Sequence, residues 1–197
     1  MNKAYLIPLS KDKPFSIFYG QRNYPQTKLS INSITSFFKL INSPFLSMRL
    51  FESRYFQSRL IIFKELKRLK FNLSDIKVSL SHNKNCFIAL VSNKDVKMAV
   101  DHEHNNRRIS SALNKKISEI KKPNSLSPIG YINILETIVK ISNINFHSLI
   151  KDTQTREFFG LRDTYITNIG EETIYSKFYS YNDNQICISS DKLEIFR

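Results

Sequence analysis

Between Val78 and Glu103 the chain reads V-S-L-S-H-N, a short polar step, then C-F-I-A-L-V-S-N-K-D-V-K-M-A-V-D-H-E-H. Apolar residues that alternate with polar ones fit the period of a strand and not that of a helix. The two apolar runs are joined by Ser92-Asn93-Lys94-Asp95, a cluster of turn formers, so the stretch predicts two strands in a tight hairpin. The second strand ends on two carboxylates, Asp101 and Glu103. Residues two apart on a strand share a face, so both acids look one way while Val100 and His102 look the other. Two acids on one face repel unless a cation or solvent separates them. That makes half of a site for a hard metal such as Mg²⁺, which takes oxygen ligands from one or two carboxylates and from substrate phosphates. An exposed strand end would carry the same D-x-E spacing, which by itself is a weak signal.

The rest of the composition narrows what could complete such a site. Only four glycines occur, and neither G-x-G-x-x-G nor a Walker-type motif is present. A bound phosphate would therefore rest on side chains, a metal or a helix end. Hydrophobic residues make up 41 % of the 197, enough for one large domain or two small packed halves. The net charge of +13 favours a polyanionic partner: nucleic acid, an anionic membrane surface, a nucleotide-like cofactor or an acidic protein. Cys86 and Cys187 each sit in an apolar strand pattern and read as buried free thiols of an intracellular, cytoplasmic protein. Met1 to Ser10 is too short an apolar run for a signal peptide and is broken by Pro8. No stretch approaches the length of a transmembrane helix.

Along the chain, Ala4–Leu9 and Phe15–Tyr19 predict short strands. Ser30 caps a helix running to about Ile41, which Asn42-Ser43-Pro44 stops. A longer, strongly basic helix spans about Phe51 to Leu69, with Tyr55, Phe56, Leu60, Ile62, Phe63 and Leu66 at core spacing. Arg107-Arg108 lead into a modest helix ending near Lys121. Ser127 and Pro128 are a cap and first-position pair for a helix to about Ser142. Its polar residues, Asn133, Glu136, Thr137 and Lys140, fall on one stripe. Glu136 and Lys140 are one turn apart, the spacing of an ordinary exposed ion pair. Residues 143–163 read as irregular with a short strand. Thr164–Asn168, Thr173–Tyr181, Gln185–Ser190 and Leu193–Phe196 predict strands.

Ser79-Leu80-Ser81-His82, then Ala99-Val100-Asp101-His102-Glu103, then Ile132 to Lys140 containing Glu136, resemble in order and kind the motifs of the 4′-phosphopantetheinyl transferases. These are the surfactin-synthetase-activating type, with S-x-S-H, G-x-D-x-E and W-x-x-K-E-x-x-x-K. The helix with Arg59 resembles the family's basic helix. The resemblance covers most of the chain, with departures: Ala99 replaces the glycine, His102 an apolar residue, Ile132 the tryptophan and Leu135 the lysine. The proline-containing loop ahead of S-x-S-H is missing. The set with chemical roles survives: His82, Asp101, Glu103, Glu136 and Lys140.

The resemblance implies an α+β fold of two similar α/β halves in a pseudo-two-fold arrangement with antiparallel sheets. Residues 1–93 would form the nucleotide side, and residues 94–197 would carry the carboxylates and the Glu136 helix. It implies Mg²⁺-dependent transfer of 4′-phosphopantetheine from coenzyme A to a serine of an acyl or peptidyl carrier protein. That reaction serves fatty acid, polyketide or nonribosomal peptide biosynthesis. Asp101, Glu103 and Glu136 would hold the metal. Glu136 would also act as general base, and Lys140 would sit against a phosphate. Arg59, Ser81 and His82 would contact coenzyme A. The partner would be a small acidic carrier domain drawn to the basic surface of a monomer, with no membrane or nucleic acid involved. Two alternatives stand beside this. One is a pseudoenzyme of the same fold, supported by the lost tryptophan and lysine. The other is a basic nucleic-acid-binding domain, supported by charge, although the aromatics of the basic helix sit at core spacing instead of forming a stacking platform.

Overall fold

The structure is a computed structural model that describes residues 4–6, 14–21, 53–83, 86–93, 95–120, 122–142, 144–146, 149 and 153–197. The helix expected over 30–41 lies outside the described residues. The elements run β1 (Ala4–Leu6), β2 (Phe15–Gln21), α1 (Ser53–Arg68), β3 (Ile76–His82), β4 (Cys86–Asn93), β5 (Met98–His104) and α2 (Ser111–Ser118). They continue with α3 (Pro128–Ser142), β6 (Gln154–Glu157), β7 (Thr164–Ile169), β8 (Glu172–Tyr181), β9 (Asn184–Ser190) and a closing 3-10 turn, Leu193–Phe196. The fold is α+β with two antiparallel sheets, ordered β1-β2-β4-β3 and β5-β9-β8-β7-β6.

Three apolar clusters stack these elements in layers. Ile62 and Leu66 of α1 pack on Phe18, Leu80, Phe87, Ala89 and Val91, which cover one face of the first sheet. The other face, with Phe15, Ile17, Ile88 and Leu90, meets Val100, Ile186 and Ile188 of the second sheet. The far face of the second sheet is covered by α3 through Tyr131, Ile134, Leu135 and Ile138. The order is therefore helix, sheet, sheet, helix. Each sheet buries both faces, which is how two small sheets gather a large core. Phe87 crosses over Gly20 on the neighbouring strand, where a Cβ would run into the ring. Its ring also stands 6.3 Å from that of His82, centroid to centroid.

The hairpin expected between the two runs joined by 92–95 is corrected. β4 pairs with β2 and β3, and β5 pairs with β9 in the other sheet. The hairpin partner of β4 is β3, closed at His82 and Phe87. Both edges of β4 are taken and all its residues but Asn93 are buried, so no edge remains for β5. The chain leaves β4 at Asn93 in the first sheet and enters β5 at Met98 in the second. The strand expected over 193–196 is also corrected. Ile195 and Phe196, adjacent in sequence, are both buried, which a 3-10 turn permits and an alternating strand face does not. The β8–β9 turn falls in the gap between the strands expected at Thr173–Tyr181 and Gln185–Ser190. Asn182 and Asp183 both adopt positive φ, at 46° and 59°, as a two-residue hairpin turn of the primed type requires. Both cysteines are buried thiols, and neither is in a disulfide. Among the described residues no helix is long and apolar enough to cross a membrane.

Candidate functional site

β5 is an edge strand of its sheet, and its outer edge faces β3. The N–H groups of Val100 and His102 on that edge donate to Ser79 Oγ and Ser81 Oγ, each at 3.1 Å. Two serines two residues apart point to one face, so β3 meets the free edge of β5 with side-chain hydroxyls in place of a backbone ladder. Ser81 Oγ also donates to Asp101 Oδ1 at 2.7 Å. His82 points to the other face of β3, toward α1 and Phe87. Ser81, expected against coenzyme A, is thus a buried bridge between the sheets.

Asp101 lies opposite Cys187 of β9, on the face that α3 covers. Glu103, two residues on, shares that face, and α3 brings Glu136 and Lys140 onto it. Ser127 starts this helix in the right place by accepting the Gly130 N–H at 3.0 Å. Carboxylate oxygens of Asp101, Glu103 and Glu136 all lie within 4.8 Å of one another. The ordinary ion pair along the helix, the alternative reading of the Glu136–Lys140 spacing, is not what forms. Lys140 Nζ reaches across to β5, donating to Asp101 Oδ1 at 2.9 Å and to the Val100 carbonyl at 2.8 Å. Asp101 Oδ1 therefore takes two donors, whereas its Oδ2 is buried with no fixed donor, and the Glu136 carboxyl bonds to Asp101 when protonated. Arg107, on the loop after β5, pairs with Glu103, and its Nη1 stands 4.0 Å from Glu136 Oε1.

Three carboxylates thus face two cations. Burial, followed by the negative charge of Asp101, pushes the Glu136 carboxyl up to about 7, while Lys140 and Arg107 pull it part of the way back. A carboxyl balanced near neutrality both accepts and returns a proton at physiological pH. An all-oxygen donor set of three carboxylates suits a hard divalent ion, Mg²⁺ above all, better than a soft one.

The polar stripe expected on α3 is only half a surface. Asn133 and Thr137 are wholly buried, Thr137 bonding to the Ile134 carbonyl and to Ser189. Asn133, one turn before Glu136, has neither its amide oxygen nor its amide nitrogen hydrogen-bonded. The structure brings together Asp101, Glu103, Glu136 and Lys140, with Ser81 beside them. His82 and half-buried Arg59 stand apart from this group, Arg59 on α1 and His82 at the end of β3 with its ring 6.3 Å from that of Phe87. Sequence reasoning missed Ser79 and Arg107 as parts of this arrangement. The alternation of serines facing a D-x-E strand, and a cation four residues past its second acid, were the available signals. On the opposite face of β5, buried His102 sets its Nε2 3.4 Å from the Cys86 thiol, beside Asn83 and Asn184, which bond to each other at 3.1 Å. His104 is exposed.

No family model matches the chain, and no curated protein matches its sequence.

Proposed function

We propose that this protein transfers the 4′-phosphopantetheine group of coenzyme A to a serine hydroxyl of an acyl or peptidyl carrier protein. The observation that carries the reading is the convergence of Asp101, Glu103 and Glu136 within 4.8 Å, with Lys140 fixed on Asp101 across 39 residues of chain. These are four of the five residues on which the motif resemblance rests. Asp101, Glu103 and Glu136 would hold Mg²⁺, whose charge would offset that developing on the diphosphate as it is cleaved.

The chain's own groups do the rest. Glu136 accepts the proton of the carrier serine, directly or through water. The freed oxygen forms a bond to the phosphorus that bears the pantetheine arm. The phosphorus–oxygen bond to the nucleotide breaks, and adenosine 3′,5′-bisphosphate leaves with the electron pair. Lys140 uses two of its three N–H donors on Asp101 and Val100, which leaves one for a phosphate oxygen. Ser81 holds Asp101 in place. Arg59 and His82 lie outside the cluster, and the motif resemblance alone would put them at the nucleotide end. The +13 charge would steer an acidic carrier domain toward the protein.

The test is the mass of a purified carrier protein after incubation with this protein, coenzyme A and Mg²⁺. A gain of one phosphopantetheine is expected, with at least a ~10²-fold slower gain for Glu136→Gln, the scale for losing a positioned acid–base group. No gain with any carrier, or an unchanged rate with Glu136→Gln, removes the assignment.

A further inference from the structure

The two cations at the carboxylate cluster are held in different ways. Lys140 belongs to α3 and is tied at two points, to a side chain and to a backbone carbonyl of β5. Arg107 belongs to the loop between β5 and α2. Its backbone is anchored, the N–H donating to the His104 carbonyl at 2.9 Å, but its side chain is 36 % exposed and touches the cluster only through Glu103 and Glu136. The guanidinium stands between the same two carboxylates that, with Asp101, would surround a divalent ion. A guanidinium also pairs with carboxylate and phosphate through the same planar, bidentate geometry, so it can exchange one for the other without losing its hydrogen bonds.

We propose that Arg107 is the resident counter-cation of this cluster and the phosphate-binding residue that is released when a divalent ion enters. This rests on the function proposed above. Without the ion, Arg107 neutralises Glu103 and leans toward Glu136. With an ion among the carboxylates, two positive groups compete for the same oxygens. Arg107 then leaves Glu103 and takes up a diphosphate oxygen of the nucleotide that the ion also contacts. Ion alone must displace Arg107 into water, whereas ion with diphosphate gives Arg107 a new partner. The two ligands should therefore bind cooperatively, and Arg107 should be the source of the cooperativity.

Titration with Mn²⁺, following the free ion by its paramagnetic resonance signal, tests this without reference to transfer activity. Arg107→Gln removes the competing charge, so it should bind Mn²⁺ alone about tenfold more tightly than the unaltered protein, the scale on which one charge within a few ångströms shifts a neighbouring ionic equilibrium. The same variant should bind coenzyme A in the presence of Mn²⁺ about tenfold more weakly, having lost a charge-assisted hydrogen bond. Arg107→Lys keeps the charge and should leave Mn²⁺ affinity near its original value. Arg108→Gln, at the adjacent exposed residue, should alter neither. Equal Mn²⁺ affinity in the unaltered protein and in Arg107→Gln, with both folded, overturns this inference while the carboxylate site stands. Absence of Mn²⁺ binding in every form overturns the site itself, and this inference with it.

Discussion

Lys140→Met should destabilise the protein even though residue 140 sits at the surface end of its stripe. The reason is Asp101. Its side chain is 4 % exposed, and that of Lys140 is 31 % exposed. Removing one partner of a buried ion pair leaves an uncompensated charge, at a cost of about 3–5 kcal/mol. Two features reduce that figure here. Ser81 still donates to Asp101 Oδ1 at 2.7 Å, and water reaches the lysine end. About 2–3 kcal/mol remains. In a chain of 197 residues this is a fall in Tm of about 5–10 °C. The measurement is thermal unfolding in EDTA, so that no divalent ion replaces the lost charge. Asp101→Asn is the matching change, since it removes the charge but keeps an acceptor for Ser81. The double variant should melt well above the sum of the two losses, by a coupling of about 1–2 kcal/mol. A Tm for Lys140→Met within about 1 °C of the original, with strictly additive single changes, would refute the claim that Lys140 compensates a buried Asp101.

Other consequences follow from the same residues. The Glu136 carboxyl is raised to about 7, so the folded chain keeps a proton that the unfolded chain gives up at about 4.5. The associated stability is fully present below about pH 4 and is lost as pH rises through 7. In metal-free buffer the protein should therefore lose stability between pH 5 and 8 relative to Glu136→Gln, and parallel profiles by chemical denaturation would contradict the placement of Glu136 among like charges. Saturating coenzyme A should raise Tm more with Mg²⁺ than with EDTA, by mass action on a site that needs both; identical shifts would count against a metal among the carboxylates. Transfer at subsaturating carrier should slow as ionic strength rises from low to physiological, and a rate indifferent to salt would detach the basic surface from the partner.

The sequence by itself determined the local periods and the chemical inventory. Alternation at 76–82 and 164–190, helical spacing at 53–68, and Ser127-Pro128 before an apolar run specify elements that the backbone adopts almost residue by residue. The reason is that strand and helix periods are properties of neighbouring residues. The D-x-E spacing likewise told that Asp101 and Glu103 share a face. Partnership was decided by the tertiary structure. Whether β4 pairs with β5 depends on which edges β2 and β3 have already taken, and those strands lie elsewhere in the chain. Ser81 could be read as a ligand-binding hydroxyl because nothing local shows that the free edge of β5 consumes it. Spacing alone offered Lys140 only Glu136, four residues away, as an ordinary partner. In the folded chain it chooses Asp101, because a carboxylate buried on β5 holds its charge in a less screened setting than a half-exposed one along the helix. Arg107 was only a helix-leading cation in sequence. It becomes part of the site because the loop after β5 turns back over Glu103, a geometry set by the strand's edge position and by α3 packing on the same face.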